Sequence, residues 1–427
     1  MSLELTKPQP LDDDIFGAEL NSVSIGGQLP FAIKPGSVFD TASPVLPRLM
    51  VADRTMEVSA EVPVMPTKLD QLADGVRKHL DGAGFKPEEQ KQYRDHLEKF
   101  LKLDGIKPEQ KEATLAQLDR LLSHKGASTV DSKHFPAIAA QLLKHFVEPN
   151  DINQGKHFTC QTATMQEILF MRNPEKGAAI IVEGALTGTY TASDGVKTKV
   201  SADSLKPGKE ETPTYPTGED RSHASQIFQV LVTNDITQRR NPPAEFVQTT
   251  EGGTDEDGGE RLRVKGEFKI DPRTNKPFVH PDIHVDEQAA CIKRIFGGEK
   301  VSMMTDKQDS LPVDKKAERE ARDLAMSKTP QAHLDFIIAP TDLKNLELIL
   351  DVAHRTKDFP IIVRVDCRVK EFGGDKSETP IEHWVTIQSY DPQAKTMQIS
   401  NQWGKNYDKK ITTEKLYKSL WRREWDY

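Results

Sequence analysis

Asn153-Gln154-Gly155-Lys156-His157-Phe158-Thr159-Cys160 is the stretch on which the reading of this chain turns. Asn-Gln-Gly marks a turn. Thr159 or Cys160 then opens a helix in which Met165, Ile168 and Leu169 recur at i, i+3 and i+4, until Asn173-Pro174 ends it. A thiol at a helix N-terminus lies at the positive end of the macrodipole, which lowers its pKa and favours the thiolate. A cysteine that attacks a carbonyl needs a base, a group that orients the base and a donor for the developing oxyanion.

Candidates for all three lie outward from this stretch. His383 opens the run His-Trp-Val-Thr-Ile-Gln-Ser-Tyr, and Thr396-Met-Gln-Ile-Ser follows the turn signal Asp391-Pro392, so the two read as a β-hairpin. With Asp391 and Thr396 closing the loop, Asn401 is expected opposite Thr386, close to His383. There its side-chain amide accepts the imidazole N–H and fixes the tautomer, while Trp403 shields that bond from water. Gln154 is expected to donate to the oxyanion beside the Cys160 amide. Asp391 is the rival orienting group, but as the first residue of an Asp-Pro turn it is expected to cap the loop. A lone cysteine at a helix start, or a lone histidine on a strand, is usually structural. The conjunction of Cys160, His383, Asn401 and Gln154 points to one site.

These islands resemble the papain-like cysteine peptidases. In that family a glutamine of an Asn-Gln-Gly turn precedes the nucleophile by six residues, as Gln154 precedes Cys160. The catalytic asparagine opens an Asn-x-Trp-Gly motif, as in Asn401-Gln402-Trp403-Gly404. The resemblance covers residues 153 to 190 and 355 to 427 and does not reach the first 140 or so. It implies an α+β fold with a papain-like two-lobed catalytic domain. It also implies a thiol peptidase in which Cys160 is the nucleophile, His383 the base, Asn401 its orienting group and Gln154 the oxyanion donor. No cofactor or metal is implied, and the partner is a protein or peptide substrate. The same residues also serve acyl transfer or deamidation, and a papain-like module without activity is the non-enzymatic alternative. The chain departs from the family in having Gln161, not tryptophan, after the cysteine, and Phe158-Thr159, not Gly-Ser, before it. The long gap between Cys160 and His383 implies a large insertion at about 191–340.

Composition sets the bounds. The 427 residues are enough for two or three domains, and 36% hydrophobic with 29% charged residues is ordinary for a soluble protein. A net charge of −8 argues against broad nucleic-acid binding. No apolar run of about eighteen residues occurs, so no membrane insertion is expected. Met1 to Lys7 lacks the basic and then apolar pattern of a signal peptide. The cysteines at 160, 291 and 367 make no disulfide framework if Cys160 is the nucleophile. The cytoplasm, or export by a route without a signal peptide, fits these features.

Residues 1–66, rich in Pro, Ser and acidic residues, read as an extended leader, and 67–147 as a small helical domain with Leu69, Leu72, Val76 and Leu80 on one stripe. Within it Gly84-Phe85-Lys86-Pro87-Glu88 recurs as Gly105-Ile106-Lys107-Pro108-Glu109, each copy placing Pro at a helix start. This unit is expected either to cover the cleft or to dock elsewhere as a separate domain. Residues 148–427 read as the catalytic domain with its insertion. In the insertion, Lys206–Gly218 and the acidic Thr249–Gly259 read as exposed loops around an apolar segment, Ile227–Val232. The acidic loop is taken as solvated, lacking calcium-loop spacing. His280 and His284 suit zinc only if a helix begins there, and no zincin motif accompanies them. Leu343–His354 reads as a helix and Ile361–Val369 as a central strand.

Overall fold

The tandem repeat builds two matched helices. In the computed structural model, which describes residues 67–208, 211–215, 220–248, 260–271, 275–277, 280–305, 337–372 and 382–420, the N-terminal helices are α1 Lys68–Asp81, α2 Pro87–Leu101, α3 Pro108–Leu122 and α4 Phe135–Val147. Pro87 and Pro108 occupy the first helical positions. Glu89 Oε2 and Gln110 Oε1 reach back to accept the Lys86 and Lys107 amides at 2.8 and 3.2 Å. Gly84 and Gly105 turn the chain into each copy with φ of 79° and 88°, a conformation that favours glycine. Leu97 and Leu118 repeat the same buried position. The leader 1–66 and the acidic loop 249–259 lie outside the described residues.

Four further helices follow: α5 Cys160–Arg172, α6 Pro174–Thr187, α7 His223–Thr237 and α8 Val285–Ile295. The sequence pattern suggests one apolar face for α5, yet every residue from Cys160 to Phe170 is buried, and so is all of α7. Ile227–Val232 is therefore the middle of a core helix. A single apolar core runs from α1–α4 into α5–α8. Phe146 of α4 packs on Phe170 of α5 at 4.9 Å between centroids, and Phe170 on Phe228 of α7 at 6.0 Å. The Thr129 and Val130 amides donate to the Leu186 and Ala185 carbonyls at 3.1 and 2.9 Å. Position 147/148 thus falls inside one core.

Short strands line the middle of the chain. β1 Thr189–Thr191 pairs with β2 Lys197–Lys199, and β3 Glu211–Thr212 with β4 Arg221–Ser222. β5 Ala244–Gln248, β6 Glu260–Val264 and β7 Glu267–Phe268 form a three-stranded sheet, and β8 Ile270–Asp271 pairs with β9 Lys276–Pro277. The main sheet comprises β10 Met303–Met304, β11 Ile337–Ile338, β12 Ile361–Asp366, β13 Glu382–Asp391, β14 Thr396–Asn401 and β15 Lys409–Thr412, in the order β11-β10-β12-β13-β14-β15.

Both faces of this sheet are covered, which explains the nearly continuous apolar run of β12. Ile362 and Trp384 join the core that holds α5. Ile361, Val363, Val365, Val385 and Ile387 pack instead with Leu346, Leu350 and Ala353 of α9, Leu343–Thr356, and with Leu416 of α10, Thr413–Ser419. The architecture is α+β. Among the described residues, no helix is long and apolar enough to cross a membrane.

Candidate active site

The β13–β14 hairpin begins in the expected register, with Asp391 opposite Thr396. An irregularity between Ile387 and Ser389 then shifts the pairing, so that Asn401 faces Val385 instead of Thr386. The shift decides the chemistry. Directly paired residues share a face of the sheet, and a one-residue slip exchanges the faces. Opposite Thr386, Asn401 would lie on the other face from His383. Opposite Val385, it shares the face of His383, and His383 Nε2 lies 2.9 Å from Asn401 Oδ1.

The same oxygen accepts the Trp403 amide at 3.1 Å, which fixes the orientation of the Asn401 side chain. Nε2 therefore carries the imidazole proton, and Nδ1 keeps its lone pair for use as a base. The Trp403 ring stacks on the imidazole at 4.3 Å between centroids and 19° between planes. The Asn401 amide is anchored on Asp408 Oδ1 at 2.9 Å. Burial, helped by the charge of Asp151, lifts the Asp408 carboxyl to about 6. Burial pushes His383 down to about 4 against the Asn401 bond, so the imidazole is neutral at pH 7.

Cys160 is the first residue of α5, and its thiol accepts from the backbone amides of Trp384, Gln161 and Cys160 itself. Cys160 thus lies against the residue next to His383, its partners being amides rather than the imidazole. The expected thiolate is overturned. Burial and the Glu382 carboxylate raise the thiol to about 12, against the amides that lower it. At 7% exposure, the loss of hydration outweighs the helix-terminal field.

Gln154 Nε2 donates to the His157 carbonyl at 2.8 Å, and Oε1 is buried without a partner. Its side chain is thus turned to its own loop. Its backbone amide donates to the Gln402 carbonyl at 2.8 Å. Asp391, at the far end of β13, accepts the Gln393 and Ala394 amides, each at 3.0 Å, and caps the turn.

Sequence reasoning missed two buried clusters. Glu167 of α5 accepts from Thr386, Gln388, Ser400 and Gln402, and burial lifts its carboxyl to about 7 despite these donors. The second grips the loop before Cys160. His157 contacts Glu211 at 2.6 Å through Nε2 and Glu260 at 3.2 Å through Nδ1, and the Phe158 amide donates to Glu260 Oε2 at 2.9 Å. Arg221 meets Glu211 at 2.6 Å and Gln229 at 3.1 Å, and Gln229 accepts the Thr159 hydroxyl at 2.8 Å. Burial alone would raise Glu211, but Arg221 and His157 hold it well below the usual carboxylate range.

Lys206–Gly218 is therefore not simply an exposed loop, because its Glu211 is buried in this cluster and its Tyr215 meets His96 Nδ1 at 2.6 Å. No spacing signal was available, since the members come from separate segments. A fully buried arginine demands such partners once the fold is known.

His280 and His284 do not share a helical turn. His280 Nδ1 accepts the Asp282 amide at 2.9 Å, and α8 begins only after His284. Among the described residues, no three His, Cys, Asp or Glu are grouped to hold a metal ion. Cys160, Cys291 and Cys367 are all buried, and none of the three is in a disulfide. Comparison with protein-family models, curated proteins and solved structures finds no match to this chain.

Proposed function

We propose that this chain is a papain-like thiol peptidase, with α5 and its helical neighbours as one lobe and the main sheet as the other. The observation that carries the reading is the bond from His383 Nε2 to Asn401 Oδ1 under the Trp403 ring, together with the contact of Cys160, which opens α5, with the amide of Trp384 next to that histidine. In this reading His383 Nδ1 removes the thiol proton while sulfur attacks a peptide carbonyl. A thiol at about 12 and an imidazole at about 4 make proton transfer and attack concerted, not stepwise through a stable ion pair. The Cys160 amide donates to the oxyanion, and Gln154 joins it once Nε2 leaves the His157 carbonyl. The imidazolium protonates the departing amine, and water then releases the acyl group from sulfur. The substrate is a protein or peptide, and no nucleic acid or cofactor enters.

Acyl transfer or deamidation on the same residues differs only in the acceptor or leaving group. The neutral, buried thiol favours an inactive papain-like binding module as a second reading. Labelling with an epoxide-type thiol probe, followed by mapping, separates these. Labelling confined to Cys160 together with new peptide termini in a peptide mixture supports the peptidase, and ammonia release without new termini supports the deamidase. Equal labelling of Cys291 and Cys367 undercuts activation altogether.

A further inference from the structure

Glu167 stands seven residues beyond Cys160 on α5, two turns along the same side of the helix. Its Oε2 accepts the Thr386 hydroxyl at 2.8 Å and Gln402 Nε2 at 2.6 Å, and its Oε1 accepts Gln388 Nε2 at 2.6 Å. The Ser400 hydroxyl donates to the same carboxyl. Thr386 and Ser400 are cross-strand partners, three residues past His383 and one before Asn401. Gln402 follows Asn401, and its carbonyl takes the Gln154 amide. A carboxyl group offers about four lone-pair sites, enough to accept all four converging donors.

Resting on the peptidase reading, we propose that Glu167 is a positioning residue, which ties the helix bearing Cys160 to the strands bearing His383 and Asn401 and so sets the thiol–imidazole geometry. The physical reason is convergence. The thiol and the imidazole belong to different layers, which the bond from the Gln154 amide to the Gln402 carbonyl also joins near the site. Glu167 supplies directed bonds from the nucleophile's helix to residues on both sides of Asn401. It also holds Thr386 and Ser400 on the face opposite His383 and Asn401, which pins the register that brings those two together. Its carboxyl touches neither the thiol nor the imidazole, so it acts through them.

The test compares the full chain with Glu167→Gln, an isosteric change that offers one acceptor and an unwanted amide donor to four donors. Three readouts are taken: steady-state turnover of a peptide substrate, the alkylation rate at Cys160, and heteronuclear NMR of nitrogen-labelled histidine with the His383 signals assigned by His383→Gln. The wild type is expected to show one Nε2–H tautomer at His383. The variant is expected to show a mixture, with kcat lower by about ten-fold or more and KM within about two-fold. Thr386→Val, which removes one donor at a position suited to a β-branched residue, is expected to give a smaller loss in the same direction and serves if Glu167→Gln does not fold. Unchanged His383 signals and an unchanged Cys160 alkylation rate in a folded variant would overturn the role, whatever turnover does. Shifted signals with no turnover and no probe labelling in the wild type would uphold the positioning and reject the peptidase reading instead.

Discussion

The Gln154 amide and the Gln402 carbonyl, 2.8 Å apart, join the turn before Cys160 to the turn after Asn401. Gly404 closes that contact. Its φ is 104°, and a Cβ there would lie 3.1 Å from Asn153 Nδ2. Gly404→Val is therefore expected to destabilise the fold by about 1–3 kcal/mol through backbone strain and crowding, measured by denaturant unfolding. An unchanged midpoint would mean that the two turns do not bear on each other in solution.

Cys160→Ala is expected to abolish peptide turnover with the fold intact, and His383→Ala to match it. Asn401→Ala removes only the orientation of the base, and its kcat/KM is expected to fall by about 10- to 100-fold, less than either. Asp391→Ala, a turn change at the far end of β13, is expected to stay within about two-fold of wild type. Activity in Cys160→Ala would end the catalytic assignment, and a larger loss at Asp391 than at Asn401 would move the orienting role.

The thiol, raised to about 12, is protonated throughout the neutral range. Its alkylation rate, followed by mapping at Cys160, should climb with pH without levelling off below about pH 10, since only the thiolate reacts. A plateau reached by pH 6 would instead reveal a thiolate–imidazolium pair.

His145, on α4, is buried and bonds to the Ser222 hydroxyl at 2.8 Å. Burial pushes its pKa from 6.5 down to about 3. The unfolded chain binds this proton below pH 6.5 and the folded chain resists it. Stability from this group is therefore complete above 6.5 and is lost as pH falls towards about 3. Relative to His145→Gln, the wild type is expected to lose on the order of a few kcal/mol between pH 7 and pH 4. Parallel denaturation midpoints across that range would show that the imidazole is not buried as described.

A chain beginning at Glu148 is expected not to fold. Its removal of α1–α4 would uncover Phe170 and the Leu186 and Ala185 carbonyls, which Phe146, Val130 and Thr129 cover. Circular dichroism and thermal melting check this. A cooperatively folded product with raised turnover would restore the view of residues 67–147 as an inhibitory cover.

What could be read from the sequence alone was local. Proline at the start of α2 and α3, glycine in the turns before them, the helix opening at Cys160 and the Asp391 cap all follow from propensities and hydrogen bonds within a few residues. The β13 and β14 runs were legible because alternation and turn chemistry act at short range. The pairing of His383 with Asn401 was legible only in part. The sequence brought them near, but the irregularity after Ile387, which puts them on one face, has no local signature. Glu167 and the His157 cluster were invisible for a different reason. Their buried charges are tolerable only because partners from distant segments converge on them, and that convergence exists only after folding. The protonation of Cys160 was decided there too: the helix N-terminus is written in the sequence, but the loss of water around the sulfur comes from tertiary packing and is the larger effect.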